Sequence, residues 1–136
     1  MPTIRRFEEV EAWQTARELT RLVYSITEEG KFAKDFGLKD QIRRACVSIM
    51  SNIAEGFESK TQPAFIRYLG IAKASAGEVR AQLYVANDVK YLSDEQFAQL
   101  FDIAEKSSRQ LSRFISYLEA QPNTYRVKDE SPEYET

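Results

Sequence analysis

The side chains that most often carry chemistry are scarce in this chain. It contains no histidine, which removes the commonest general base and the commonest metal ligand. Its single cysteine, Cys46, sits between Ala45 and Val47 beside an apolar stripe, with no imidazole to activate it. That setting reads as a small buried filler rather than a nucleophile. A paired-carboxylate acid–base site needs its two acids facing one reacting group. Glu55 and Glu78 are set too far apart for that in the register derived below. No glycine-rich phosphate loop occurs. The reading is therefore a non-enzyme, with no catalytic, metal or cofactor-binding residue to assign.

What remains is polar patterning. Arg44, Ser48, Asn52 and Glu55 recur at steps of four, four and three. They fall on one flank of a helix, about 100° from its apolar centre. Arg67, Ile71, Ser75 and Glu78 form a matching flank further on. If the two helices are antiparallel around residues 59–62, like flanks meet. Ala45 then faces Ala76, Ile49 faces Ala72, and Ile42 faces Val79. The same alignment brings Glu55 to Arg67 and Arg44 to Glu78, with Ser48, Asn52 and Ser75 between them. The expectation is one polar seam tied by two crossed ion pairs.

The elements that must position this seam are helical. Hydrophobic periodicity predicts helices over 7–28, 38–58, 63–90 and 94–119, and no stretch alternates long enough for a sheet. In the first, Glu8 and Glu9 occupy the opening turn, and Ala12, Trp13, Ala16, Leu19, Val23 and Ile26 form the stripe. Gly30 suits a helix stop. Residues 30–37 form a connection, where Phe32 and Phe36 are expected to plug the end of the core. The second helix buries Leu38, Ile42, Ala45, Ile49 and Ile53. The third, opened by Thr61 and Pro63, holds a heptad seam of Phe65, Leu69, Ala72, Ala76, Val79, Leu83 and Ala86. Ser93 with Gln96 reads as a capping box for the fourth, whose seam runs from Phe97 to Leu118.

Four amphipathic helices on short connections predict an all-α, antiparallel up-down-up-down four-helix bundle over residues 1–122. An open helical hairpin array that closes only on oligomerisation is the alternative. Residues 123–136 are polar and aperiodic and read as a flexible tail. A chain of 136 residues, 43% apolar and 29% charged, is the size and make-up of one globular domain. A net charge of −2 argues against a general phosphate-backbone binder. The opening residues lack an apolar signal core, no run approaches a membrane span, and a lone cysteine suits a reducing compartment. The cytoplasm is the expected location.

Two surfaces could serve partners. Leu22, Ile71, Phe101 and Ile115 fall off the main seams and are candidates for an oligomer interface. Arg43, Lys60, Lys73 and Arg80, with Arg5 and Arg6, are candidates for a nucleic-acid patch that an oligomer would repeat.

The stretch from Gln41 to Ala45, continued by Ser48-Ile49 and by Asn52-Ile53-Ala54-Glu55-Gly56, resembles the signature of a known family. So do Trp13-Gln14 with Ala16, the run from Phe65 to Leu69, and Ala72 with Ala74-Ser75-Ala76 and Glu78. The family is the bacterial four-helix-bundle proteins encoded in intervening sequences of 23S rRNA genes, and the resemblance covers residues 7–120. It implies a bundle assembled as a ring-shaped homopentamer, no established enzymatic activity, and a role near RNA or other nucleic acid. Its motif positions are Arg44, Ser48, Asn52, Glu55, Gly56, Arg67 and Glu78, which on this reading serve structure more than chemistry.

Overall fold

The computed structural model describes residues 3–122, and the expectation of a flexible tail over 123–136 lies outside them. Among the described residues the protein is all-α, with five α-helices and no strand. A 3-10 turn at Phe7–Glu9 precedes α1 (Glu11–Ile26). A short α2 (Gly30–Lys34) follows, then the long helices α3 (Phe36–Glu58), α4 (Gln62–Asp88) and α5 (Asp94–Glu119). α3 packs on α1 and α4, and α5 packs on α1 and α4. α1 and α4 therefore lie across the core from each other, as do α3 and α5.

The first helix does not run from residue 7 as expected. Val10 is extended, at φ −72° and ψ 122°, and separates the turn from α1. The break lets Val10 itself enter the core, where it is buried. The connection after α1 is also partly helical. Gly30 takes φ +63° to open α2, a conformation that glycine adopts without a Cβ clash.

Phe32 plugs the end of the core as anticipated, but Phe36 does not: it is 75% exposed. The ring that packs against Phe32 is Tyr91, 5.2 Å away. The Tyr91 hydroxyl also donates to Asp35 Oδ2 at 2.9 Å. That bond to a carboxylate favours the protonated phenol and raises its pKa. Asp35 serves as N-cap of α3, accepting from the Leu38 N–H at 3.1 Å. Phe36, the first residue of α3, is thereby turned outward.

The remaining boundaries follow the local chemistry. Thr61 caps α4, with Pro63 in its first turn. Ser93 Oγ accepts from the Gln96 N–H at 3.0 Å, while Gln96 Oε1 accepts from the Ser93 N–H at 2.9 Å. α4 ends in a Schellman arrangement, with the Tyr91 N–H on the Ala86 carbonyl and the Lys90 N–H on that of Asn87. The left-handed residue there is Lys90, at φ +66°.

The core is built by the predicted stripes. Ala12, Ala16, Leu19 and Val23 of α1 meet Ile42, Ala45, Ile49 and Ile53 of α3. Every position of the α4 heptad seam is buried, as are Leu100, Ala104, Leu111, Phe114 and Leu118 of α5. Trp13 is half-buried against this core, edge-on to Phe7 with ring centroids 5.3 Å apart.

Candidate functional site

The polar seam lies between α3 and α4. Ser48 Oγ and Ser75 Oγ share a hydrogen bond of 2.8 Å. Asn52 Nδ2 donates to the Ser48 carbonyl oxygen at 2.9 Å and to Ser48 Oγ at 3.0 Å. Ser75 is buried and Ser48 and Asn52 half-buried, so three small polar side chains satisfy one another within the helix contact. One turn beyond Asn52, Gly56 is buried against α4. A Cβ placed there would meet Phe65 Cδ1 and Tyr68 Cβ, each at 2.8 Å. These contacts run α3 and α4 antiparallel, close to the expected alignment.

The charged ends of the seam differ from expectation. Neither crossed ion pair, Glu55 with Arg67 or Arg44 with Glu78, forms among the described residues. Arg44 Nε instead pairs with Asp40 Oδ2 at 2.8 Å, one turn back on its own helix. The Arg67 guanidinium lies 4.6 Å above the Tyr68 ring. The physical reason is exposure: Arg44, Glu55, Arg67 and Glu78 are all solvent-exposed. An exposed pair contributes only about 0–1 kcal/mol, too little to outweigh a partner already close at hand.

The basic candidates are not gathered into one patch. Arg43 faces α1: its Nε donates to Thr27 Oγ1 at 2.8 Å, and its Nη2 pairs with Glu28 Oε2 at 2.8 Å. The guanidinium sits 4.2 Å above the Tyr24 ring and holds the Glu28 carboxyl below its usual pKa through that hydrogen bond. Arg80 faces α5, where its Nη1 donates to Ser108 Oγ. Lys73 is exposed on α4, and Lys60 stands in the α3–α4 turn at φ +71°. Near the 3-10 turn the Arg5 backbone N–H donates to Glu9 Oε1, and the Arg6 guanidinium pairs with Glu8.

Cys46 is fully buried, and that burial pushes its thiol up to about 12. Among the described residues no cluster of cysteine, aspartate and glutamate could hold a metal ion, and no helix is long and apolar enough to cross a membrane. A cavity of about 380 Å³ lies between the N-terminal segment at Thr3 and Ile4, the start of α1, and Gln110, Arg113 and Phe114 of α5.

The seam residues, with the stretches around them, match a family model described as 23S rRNA-intervening sequence protein, over residues 8–113. The chain belongs to the 23S rRNA-intervening sequence protein family. A solved structure from Bacteroides thetaiotaomicron, described as a protein with unknown function from the S23 ribosomal protein family, has the same fold. It superposes with a TM-score of 0.71 at 24% identity, covering 77% of this chain and 95% of its own. No curated protein matches the chain.

In this family member the expected interface residues divide. Leu22, Phe101 and Ile115 are half-buried and pack against the core. Phe101 joins an aromatic cluster with Phe97 and Tyr84, with ring centroids 5.2 Å away in each case. Only Ile71 of the four is exposed, at 41%. Of the outward apolar residues that pattern reading missed, Tyr84 and Val85, the latter 49% exposed, lie on the same helix and Val89, at 50%, is its C-cap. The signal was available. All three fall off the α4 heptad seam, but a seam that regular draws attention away from the opposite face.

Proposed function

We propose that this chain is a non-catalytic scaffold, an antiparallel up-down-up-down four-helix bundle that assembles with copies of itself. The family resemblance implies a pentameric ring as the assembly. The observation that carries the reading is the exposed side of α4, where Ile71 and Val85, with Val89 at the C-cap, are solvent-exposed on the helix whose other face fills the core. A helix apolar on both faces is normally covered on both. The poverty of chemistry supports the same reading, since the chain has no histidine and its one thiol is buried.

Sedimentation equilibrium at micromolar concentration tests the assembly. The expected result is one discrete species, at the mass of five 15.7 kDa chains for the ring; a monomer overturns it. Titration with structured and single-stranded RNA across a salt series tests the scaffold role. No binding at physiological salt is expected. Affinity falling steeply with salt would replace the scaffold with a nucleic-acid-binding accessory protein.

A further inference from the structure

The cavity beside the start of α1 has the dimensions of a ligand site. Its volume is about 380 Å³, and small-molecule pockets run from roughly 300 to 1,000 Å³. Val10 and Ala12 at the head of α1 line it together with Phe114 of α5, and all three are buried in the core. Ile4 of the N-terminal segment adds a fourth apolar side chain and itself packs on the core. The base of the recess is therefore apolar and belongs to the bundle.

The polar groups at the same cavity lack partners. Arg113 of α5 and Glu11 of α1 both line it. Neither forms an ion pair with the other or with any other of the described residues. Gln110, one turn before Arg113, lines it too, and its Oε1 is buried without a donor. A buried amide oxygen is ordinarily paired. Residues three apart on a helix are surface neighbours, so Gln110 and Arg113 set an acceptor beside a fork of donors. The second carboxylate at the cavity, Glu9, is already engaged, accepting from the Arg5 backbone N–H at 3.0 Å.

These opposite charges narrow the ligand class. A simple anion would suit Arg113 but be repelled by Glu9 and Glu11. A simple cation would suit the glutamates but be repelled by Arg113. A zwitterion whose two charges are one carbon apart, carried on an apolar body, meets every group. We infer that the cavity binds a free α-amino acid with a large apolar side chain. Its carboxylate takes two parallel N–H···O bonds from the Arg113 guanidinium. Its ammonium donates to Glu11 and to Gln110 Oε1, which the amide presents by turning about its soft last torsion. Its side chain lies out of water against Ile4, Val10 and Phe114. One chain supplies the whole site, so the inference does not rest on self-association.

Isothermal titration calorimetry of the full chain tests it, with L-phenylalanine and L-leucine as probes. Saturable binding at one site per chain is expected for at least one of them. Phenylpropanoate lacks the ammonium, phenethylamine lacks the carboxylate and glycine lacks the side chain; each should bind more weakly by roughly tenfold or more. Arg113→Met removes the guanidinium from an exposed position and keeps an apolar stem, and circular dichroism checks that it folds. It should weaken amino-acid binding by roughly tenfold or more. Gln110→Leu should also weaken binding without lowering the melting temperature, a combination that a merely structural glutamine would not give. No saturable binding of either amino acid at millimolar concentration overturns the inference. Binding that survives both variants unchanged places the amino acid elsewhere and overturns this cavity as its site. Phenylpropanoate binding as tightly as phenylalanine overturns the zwitterion.

Discussion

Gly56 and Gly70 are both helix glycines, and they sit in opposite circumstances. Above Gly56 the α4 backbone is so near that a methyl group would lie 2.8 Å from Tyr68 Cβ. Above Gly70 nothing among the described residues lies within 4 Å. The inner contact between α3 and α4 is closed: small residues are there because the helices need them to approach. The outer face of α4 repeats the same residue types with the space unfilled. The comparison teaches that a helix glycine can be required by close packing at one position and go unexplained by the chain's own packing at another.

The sharpest way to break this contrast is at Gly56. Gly56→Ala should destabilise the fold by about 2–3 kcal/mol, since Tyr68 Cβ is fixed to the backbone and the helices must part; urea unfolding measures it. Cys46 probes the closed side by pH. Its folded pKa is raised from 9.0 to about 12, so its contribution is whole below pH 9 and declines as pH rises past that value. At pH 10 the loss is about 1.4 kcal/mol, and Cys46→Ala should remove that component from the stability profile.

On the open side the sign reverses. Gly70→Ala should stabilise the dissociated chain by about 1 kcal/mol, measured at high dilution. Lys90 is the mirror case, a side chain in a left-handed position that glycine would fill more easily. Lys90→Gly should raise stability by about 0.5 kcal/mol, seen as a small rise in melting temperature. Equal effects at Gly56 and Gly70 would erase the distinction between the two faces.

Much of the fold was legible in the sequence because its signals are local and repeated. The α4 heptad, the Ser93–Gln96 box and the Thr61–Pro63 start each depend on a few neighbouring residues. The Ser48–Ser75 contact followed from helix geometry once the turn at 59–62 was placed. The misplaced residues depend on competition that pattern does not encode. Phe36 was expected to plug one end of the core with Phe32, but Tyr91 packs there instead, held by Asp35, which also caps α3. Arg44 had carboxylates on two helices to choose from, and solvent made the nearer one sufficient. Leu22, Phe101 and Ile115 lay off the seams yet found room against the core, because a helix buries a stripe wider than its central line. The candidate surfaces were the least legible part, since exposure is a property of the folded molecule.

Gln62 joins two distant parts of the chain. Its side-chain amide is buried at the start of α4 and donates to the carbonyl oxygens of Leu118 and Gln121 at the far end of α5. The last turn of α5 is thus terminated by a residue from the middle of the chain. If that turn frays, a buried amide loses both acceptors, a cost of about 1–3 kcal/mol that a free helix end never meets. The two segments must loosen together, so amide exchange near Leu118 should be governed by the opening of the α3–α4 turn rather than by nearness to the terminus.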